Sequence, residues 1–104
     1  MRLARAADLW MGELARAGRT ESTRASYRRH LNKLIDQLER TKPDPAVREV
    51  TKNDCRAFLD NWIDRSASTQ CTVHSALKGL FEWLYLEGEI HSSPMVRIKL
   101  LRSL

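Results

Sequence analysis

The chain is 104 residues long, 42% hydrophobic and 30% charged, with a formal net charge of +5 at pH 7; this composition suits one small globular domain and argues against a disordered tail. A domain of this size buries ~60–70% of its unfolded-chain surface, enough for a single core without staples. No apolar run approaches the roughly 20 residues that cross a bilayer, and charge interrupts Met1 to Asp8 too early for a secretory segment, so a soluble, cytoplasmic protein with no membrane partner is expected. Cys55 and Cys71 lack Cys-x-x-Cys spacing and a nearby His pair, which indicates neither a zinc site, a disulfide framework nor a cofactor. Cys55 reads as core and Cys71 as exposed.

Apolar period and caps predict an all-α chain of four helices, with no sustained period-two alternation that would mark a strand. The first, about 2–17, aligns Leu3, Ala7, Trp10, Leu14 and Ala17 and stops at Gly18, which suits a left-handed C-cap. The second, about 20–39, starts at the hydroxyl cap Thr20, has Glu21 at the positive end of the helix dipole, and buries Thr23, Tyr27, Leu31, Leu34 and Leu38. Lys42-Pro43-Asp44-Pro45 is a loop, because two prolines in three residues cannot continue a helix. The third, about 51–64, is capped by Thr51 with Asp54 as a short capping-box partner, and its apolar face is Cys55, Phe58, Leu59, Trp62 and Ile63. The fourth, about 67–87, is capped by Ser66 or Ser68, carries Val73, Ala76, Leu77, Leu80, Phe81 and Leu84, and ends near Glu87-Gly88. A short turn or fifth helix follows Pro94, which makes the whole a four- to five-helix bundle.

Charge is uneven along this scaffold. Residues 1–42 hold ten lysines and arginines against five acids, whereas the other 62 residues hold eight of each. Residues 65–81 and 92–104 contain cations and no acid, while acid gathers at Asp54, Asp60 and Asp64 on the third helix. On the second helix Ser22, Ser26, Arg29 and Lys33 recur at i, i+4, i+7 and i+11 and so share one outward stripe, flanked by Arg24 and Arg28. On the fourth, Ser68, Cys71, Thr72, Ser75 and Lys78 occupy the outward or flanking face near the start, where the unpaired amides also point. With these two helices side by side, the outer faces form a positive, hydroxyl-rich surface suited to a polyanion.

Each feature also has a plainer explanation. Ser68 and Thr69 ahead of an apolar run serve as a helix cap. Arg28, Arg29 and Lys33 can form a solvated face helped by pairing of Arg29 or Lys33 with Asp36. Trp10, Trp62, Trp83, Phe58 and Phe81 fall on or beside the apolar stripes and so belong to core or rim, Tyr27 belongs to packing, and His74 to the surface.

Three segments resemble a known family. They are Gly18 to Leu31 with its Thr followed by Tyr-Arg-Arg-x-Leu, Val50 to Leu59 with its capped start, and Ser66 to Leu84 followed by Glu87-Gly88-Glu89-Ile90 and Ser93-Pro94. In this order, over about residues 3–99, they are similar to the amino-terminal, SAM-like core-binding domain of tyrosine recombinases, the phage integrase family. The chain departs from the family pattern at Arg24 and His74, where the family has apolar residues, at Ser93 in place of Asn, and in a tail without a proline linker. The resemblance implies a bundle whose second and fourth helices approach the major groove of a recombination half-site. By position it makes Ser22, Ser26, Arg29, Ser68, Thr69, Thr72 and Ser75 candidate contacts, to which the charge pattern adds Arg28, Lys33 and Lys78. Cations would neutralise phosphates and hydroxyls would bond phosphate oxygens, giving mostly backbone positioning and weak sequence preference. The implied partners are double-stranded DNA, the catalytic domain of the same parent protein and other recombinase subunits on the DNA.

Catalysis in that family uses an Arg, Lys, His and Tyr cluster from a later domain. Tyr27 and Tyr85 are the two tyrosines here, and no such cluster can be assembled, so the chain reads as a fragment or truncated product without activity of its own. The alternative from another class is a helical protein-protein module using Trp83, Tyr85 and Leu86 as an apolar edge. A stand-alone hydrolase has no nucleophile-base pair or metal set to support it.

Overall fold

A computed structural model describes residues 1–98. The described residues form four α-helices and no strand: α1 (Leu3–Arg16), α2 (Glu21–Glu39), α3 (Lys52–Asp60) and α4 (Ala67–Leu86), with one 3-10 turn at Val47–Glu49. The expected fold class and helix order therefore hold, as do the caps. The Thr20 hydroxyl accepts from the Thr23 amide at 3.1 Å, and Ser66, rather than Ser68, accepts from the Thr69 amide at 3.2 Å. Thr51 and Asp54 form the reciprocal capping box, at 3.1 and 2.9 Å. Gly18 takes the left-handed conformation, φ 83°, that stops α1.

The fourth helix is the centre of the molecule, packed by α1, α2 and α3 together. Val73, Ala76, Leu77, Leu80, Phe81 and Leu84 are all completely buried, and each large side chain among them contributes about 1.5–3 kcal/mol of burial. Trp10 of α1 lies flat against Tyr27 of α2, with ring centroids 5.6 Å apart and planes 2° from parallel. The same indole covers Gly79 of α4 so closely that a Cβ there would sit 2.7 Å from its Cζ2. One aromatic ring thus joins three helices, and it fits because α4 has no side chain beneath it.

Several details differ from the sequence expectation. α3 ends at Asp60, and the chain then winds through i→i−3 bonds, Trp62 N–H to Leu59 at 3.0 Å and Ile63 N–H to Asp60 at 3.3 Å. Tighter winding rotates successive side chains away from the helical register, so Trp62 turns in and Ile63, expected on the apolar face, is 53% exposed. Ala17 is exposed and Ala6 is buried in its place. His30, not assigned to the core by the pattern, is buried. The loop after α2 returns to the chain start: Leu3 N–H donates to Pro45 O and Val47 N–H to Met1 O, both at 2.8 Å. After Pro94 comes a turn that buries Met95, with no fifth helix among the described residues. The basic tail residues Lys99 and Arg102, and the missing proline linker, lie outside the described residues.

Gly79→Ala should cost on the order of 1–3 kcal/mol, because a rigid indole locked against Tyr27 cannot yield to the new methyl group. Chemical denaturation measures this, and a variant as stable as the parent would show that Trp10 does not seat there.

Candidate nucleic-acid interface

The candidate side chains sit on α2, on the turn after α3 and on the first half of α4. Along α2, Ser22, Arg29 and Lys33 are exposed and Ser26 is half-buried, all on the side opposite Leu31, Leu34 and Leu38. Arg28 departs from this stripe. Its guanidinium reaches across to α1 and pairs with Asp8, so a carboxylate that the helix-two pattern alone did not include neutralises it. Arg24 also folds back, its Nε donating to Arg19 O at 3.3 Å. Arg29 and Lys33 make no ion pair among the described residues, with Asp36 or any other acid.

Lys33 instead lies over an aromatic ring. Its ammonium is 5.1 Å from the centroid of Trp62, and the guanidinium of Arg65 is 5.4 Å from the same ring. Trp62 is held from within by Phe58, with centroids 5.9 Å apart, and by the edge of His30 at 5.0 Å. The His30 imidazole is kept below its ordinary pKa by burial first and then by the adjacent Arg29 and Lys33 charges; its Nδ1 has no hydrogen-bond partner among the described residues. A neutral imidazole avoids adding a third positive charge to this corner.

At the start of α4 most hydroxyls are engaged locally. The Ser66 hydroxyl donates to Thr69 Oγ1 at 3.1 Å, and the Thr72 hydroxyl donates to Ser68 O at 3.0 Å. Gln70 is buried and donates to Ile63 O at 3.1 Å and to Arg65 O at 2.8 Å, which fixes the backbone that carries Arg65. Ser68 and Lys78 are exposed, whereas Thr69, Thr72 and Ser75 are half-buried. Ser75 and Lys78 line a shallow groove of about 250 Å³ with Trp10, Tyr27, Arg19 and Glu82. Lys33 and Arg65 line a separate one of about 300 Å³ with Trp62, Asn61 and Arg40. Tyr27 and Lys33 are six residues apart, about 9 Å along α2 and about 120° around it, so the two grooves open on different faces of this helix.

The sequence reading missed Arg65, Trp62, Gln70 and Arg19 as parts of this surface. A signal existed for the first pair, since Arg65 follows Trp62 by three residues. That Lys33 would meet the same ring depends on how α2 packs on α3, which no local pattern encodes. Elsewhere, Lys42 donates to Asp54 at 2.8 Å. Burial raises the Asp54 pKa, but the hydrogen bonds from Lys42 and Thr51 outweigh it and the net shift is downward. The Cys55 thiol is pushed up to about 12 by burial and then by Asp54, and stays protonated; Cys71 is exposed.

The family model described as the phage integrase N-terminal SAM-like domain matches residues 7–88. The chain belongs to this family. The matched span contains every candidate contact from Ser22 to Lys78, and membership carries a recombinase-related DNA-binding role. Neither the comparison with curated proteins nor that with solved structures finds a match. No helix among the described residues is long and apolar enough to cross a membrane.

Burial and two neighbouring cations give His30 a folded-state pKa below its unfolded value. The unfolded chain therefore binds the proton first, and stability should fall as pH drops from about 6.5 towards 5, above the main carboxylate range. His30→Phe should flatten that slope in urea denaturation measured across the window; an unchanged slope would place the titration elsewhere.

Proposed function

We propose that this chain is the DNA-binding domain of a tyrosine site-specific recombinase or integrase, clamping one side of duplex DNA at the recombination half-site. The surface that serves this role is the outward face of α2 with the turn before α4 and the first half of α4. One observation carries the reading: Arg29 and Lys33 stand exposed on the outward stripe of α2 and pair with no carboxylate among the described residues, not even with Asp36 one turn beyond Lys33. Unpaired cations on a rigid helix neutralise phosphates without first breaking an internal ion pair. Ser22 and Ser26 on the same stripe, and Ser68, Thr69, Thr72, Ser75 and Lys78 on α4, supply hydroxyls and a further cation for backbone oxygens. Short hydroxyl side chains reach base edges poorly, so the domain positions DNA more than it reads sequence. Arg28, paired with Asp8, contributes less than its neighbours.

In this reading strand cleavage belongs to the catalytic domain of the same parent protein, and neighbouring recombinase subunits share the DNA. Tyr27, stacked on Trp10, serves packing. A second reading, a helical module that docks a protein, draws on the exposure of Tyr85 at 51%, Leu86 at 77% and Val96 at 53%. Salt separates the two: electrostatic DNA binding weakens steeply with ionic strength, and an apolar edge does not.

Duplex affinity measured by fluorescence anisotropy should fall at least tenfold between ~50 and ~200 mM salt, with each neutralised phosphate adding about −0.9 to the log-log slope. Arg29→Glu combined with Lys33→Glu should abolish binding while costing no more than about 1 kcal/mol of stability, the scale of an exposed cation-π interaction such as that of Lys33 with Trp62. Unchanged affinity in the double variant would refute the assigned face.

A further inference from the structure

We propose that Lys33 and Arg65, gathered over the single ring of Trp62, form a preorganised seat for one backbone phosphate of duplex DNA. The inference rests on the DNA-binding reading above and names within it a site made from two parts of the chain that are far apart in sequence.

The geometry supports a pair acting together. Both cations lie within 5.4 Å of the same ring centroid and line the same groove, so one ring restrains two long side chains that would otherwise each lose rotamer freedom on binding. The ring itself is fixed: Trp62 is 7% exposed and wedged against Phe58 and His30. Arg65 is further fixed through its carbonyl, which accepts from the buried Gln70 amide. A hydrogen bond between Asn61 and Gln37 ties the turn to α2 beside the pair. The groove they line holds three cations, Lys33, Arg40 and Arg65, against one carboxylate, Asp36. Neither Lys33 nor Arg65 makes an ion pair among the described residues. A phosphodiester shares one negative charge over two non-bridging oxygens and fits such a pair, with the guanidinium offering a planar fork to one or both oxygens and the ammonium a point charge.

The test is a salt titration of duplex binding by the whole chain and its Arg65→Ala, Lys33→Ala and doubly substituted variants. Both sites are exposed, and circular dichroism checks that each variant folds. Each single substitution should weaken binding on the order of tenfold at low salt. The double variant should lose about one phosphate from the salt slope, ~0.9 units, because both cations serve the same group. A loss of about twice that would assign them to separate phosphates and overturn the shared seat. Arg65→Ala that binds and titrates like the parent would overturn the seat while leaving the α2 interface standing. A parent chain that binds no duplex would overturn both.

Discussion

The seating of the Trp10 indole on Gly79 fixes how the rest of this bundle is arranged. The ring is clamped between Tyr27 and a bare stretch of α4 backbone, so the rotations of α1, α2 and α4 about their own axes are set together. With Tyr27 turned inward, the 3.6-residue period of α2 puts Leu31, Leu34 and Leu38 in the core and leaves Ser22, Arg29 and Lys33 outside. A different rotation would expose leucines and bury cations, at a cost that excludes it. The proposed binding face follows from that packing constraint.

What packing leaves exposed is then sorted by charge. Arg28 is drawn to Asp8 and Lys42 to Asp54, which ties α2 to α1 and the loop to α3. Arg29 and Lys33 make no such pair among the described residues, although Asp36 lines the same groove as Lys33. Lys33 is held by a ring instead of a carboxylate, and a cation held this way keeps its full charge for a ligand. Trp62 thus serves two purposes: its ring packs against His30 and Phe58, and Lys33 and Arg65 both approach it at the groove they line. His30 can lie beside these cations because its buried imidazole stays neutral.

Much of this was legible in the chain. Thr20, Thr51 and Ser66 each cap a helix where a hydroxyl precedes an apolar period, and the six-residue stripe of α4 is found in the core without exception. The outward spacing of Ser22, Ser26, Arg29 and Lys33 follows from helical geometry alone. The relations between elements were not legible. The pairing of Arg28 with Asp8, the burial of His30 and the meeting of Lys33 with Arg65 depend on which helix faces which. Ile63 was misplaced because α3 tightens after Asp60, where several polar residues give little warning of a change in winding. Lys33 and Ser75, expected on one continuous face, line separate grooves on different faces of α2, so the cationic surface has two lobes.

In the proposed complex, α2 with the α3–α4 corner presents one lobe to DNA, and α2 with Ser75 and Lys78 of α4 presents the other. An NMR titration of the isotope-labelled chain with a generic duplex tests this most directly, since each backbone amide reports separately. Amides of residues 22–33 and 65–78 should shift together, while those of Asp54, Arg56 and Asp60 on α3 stay still. Shifts confined to Tyr85, Leu86 and Val96, or spread evenly over the chain, would contradict the proposed binding face.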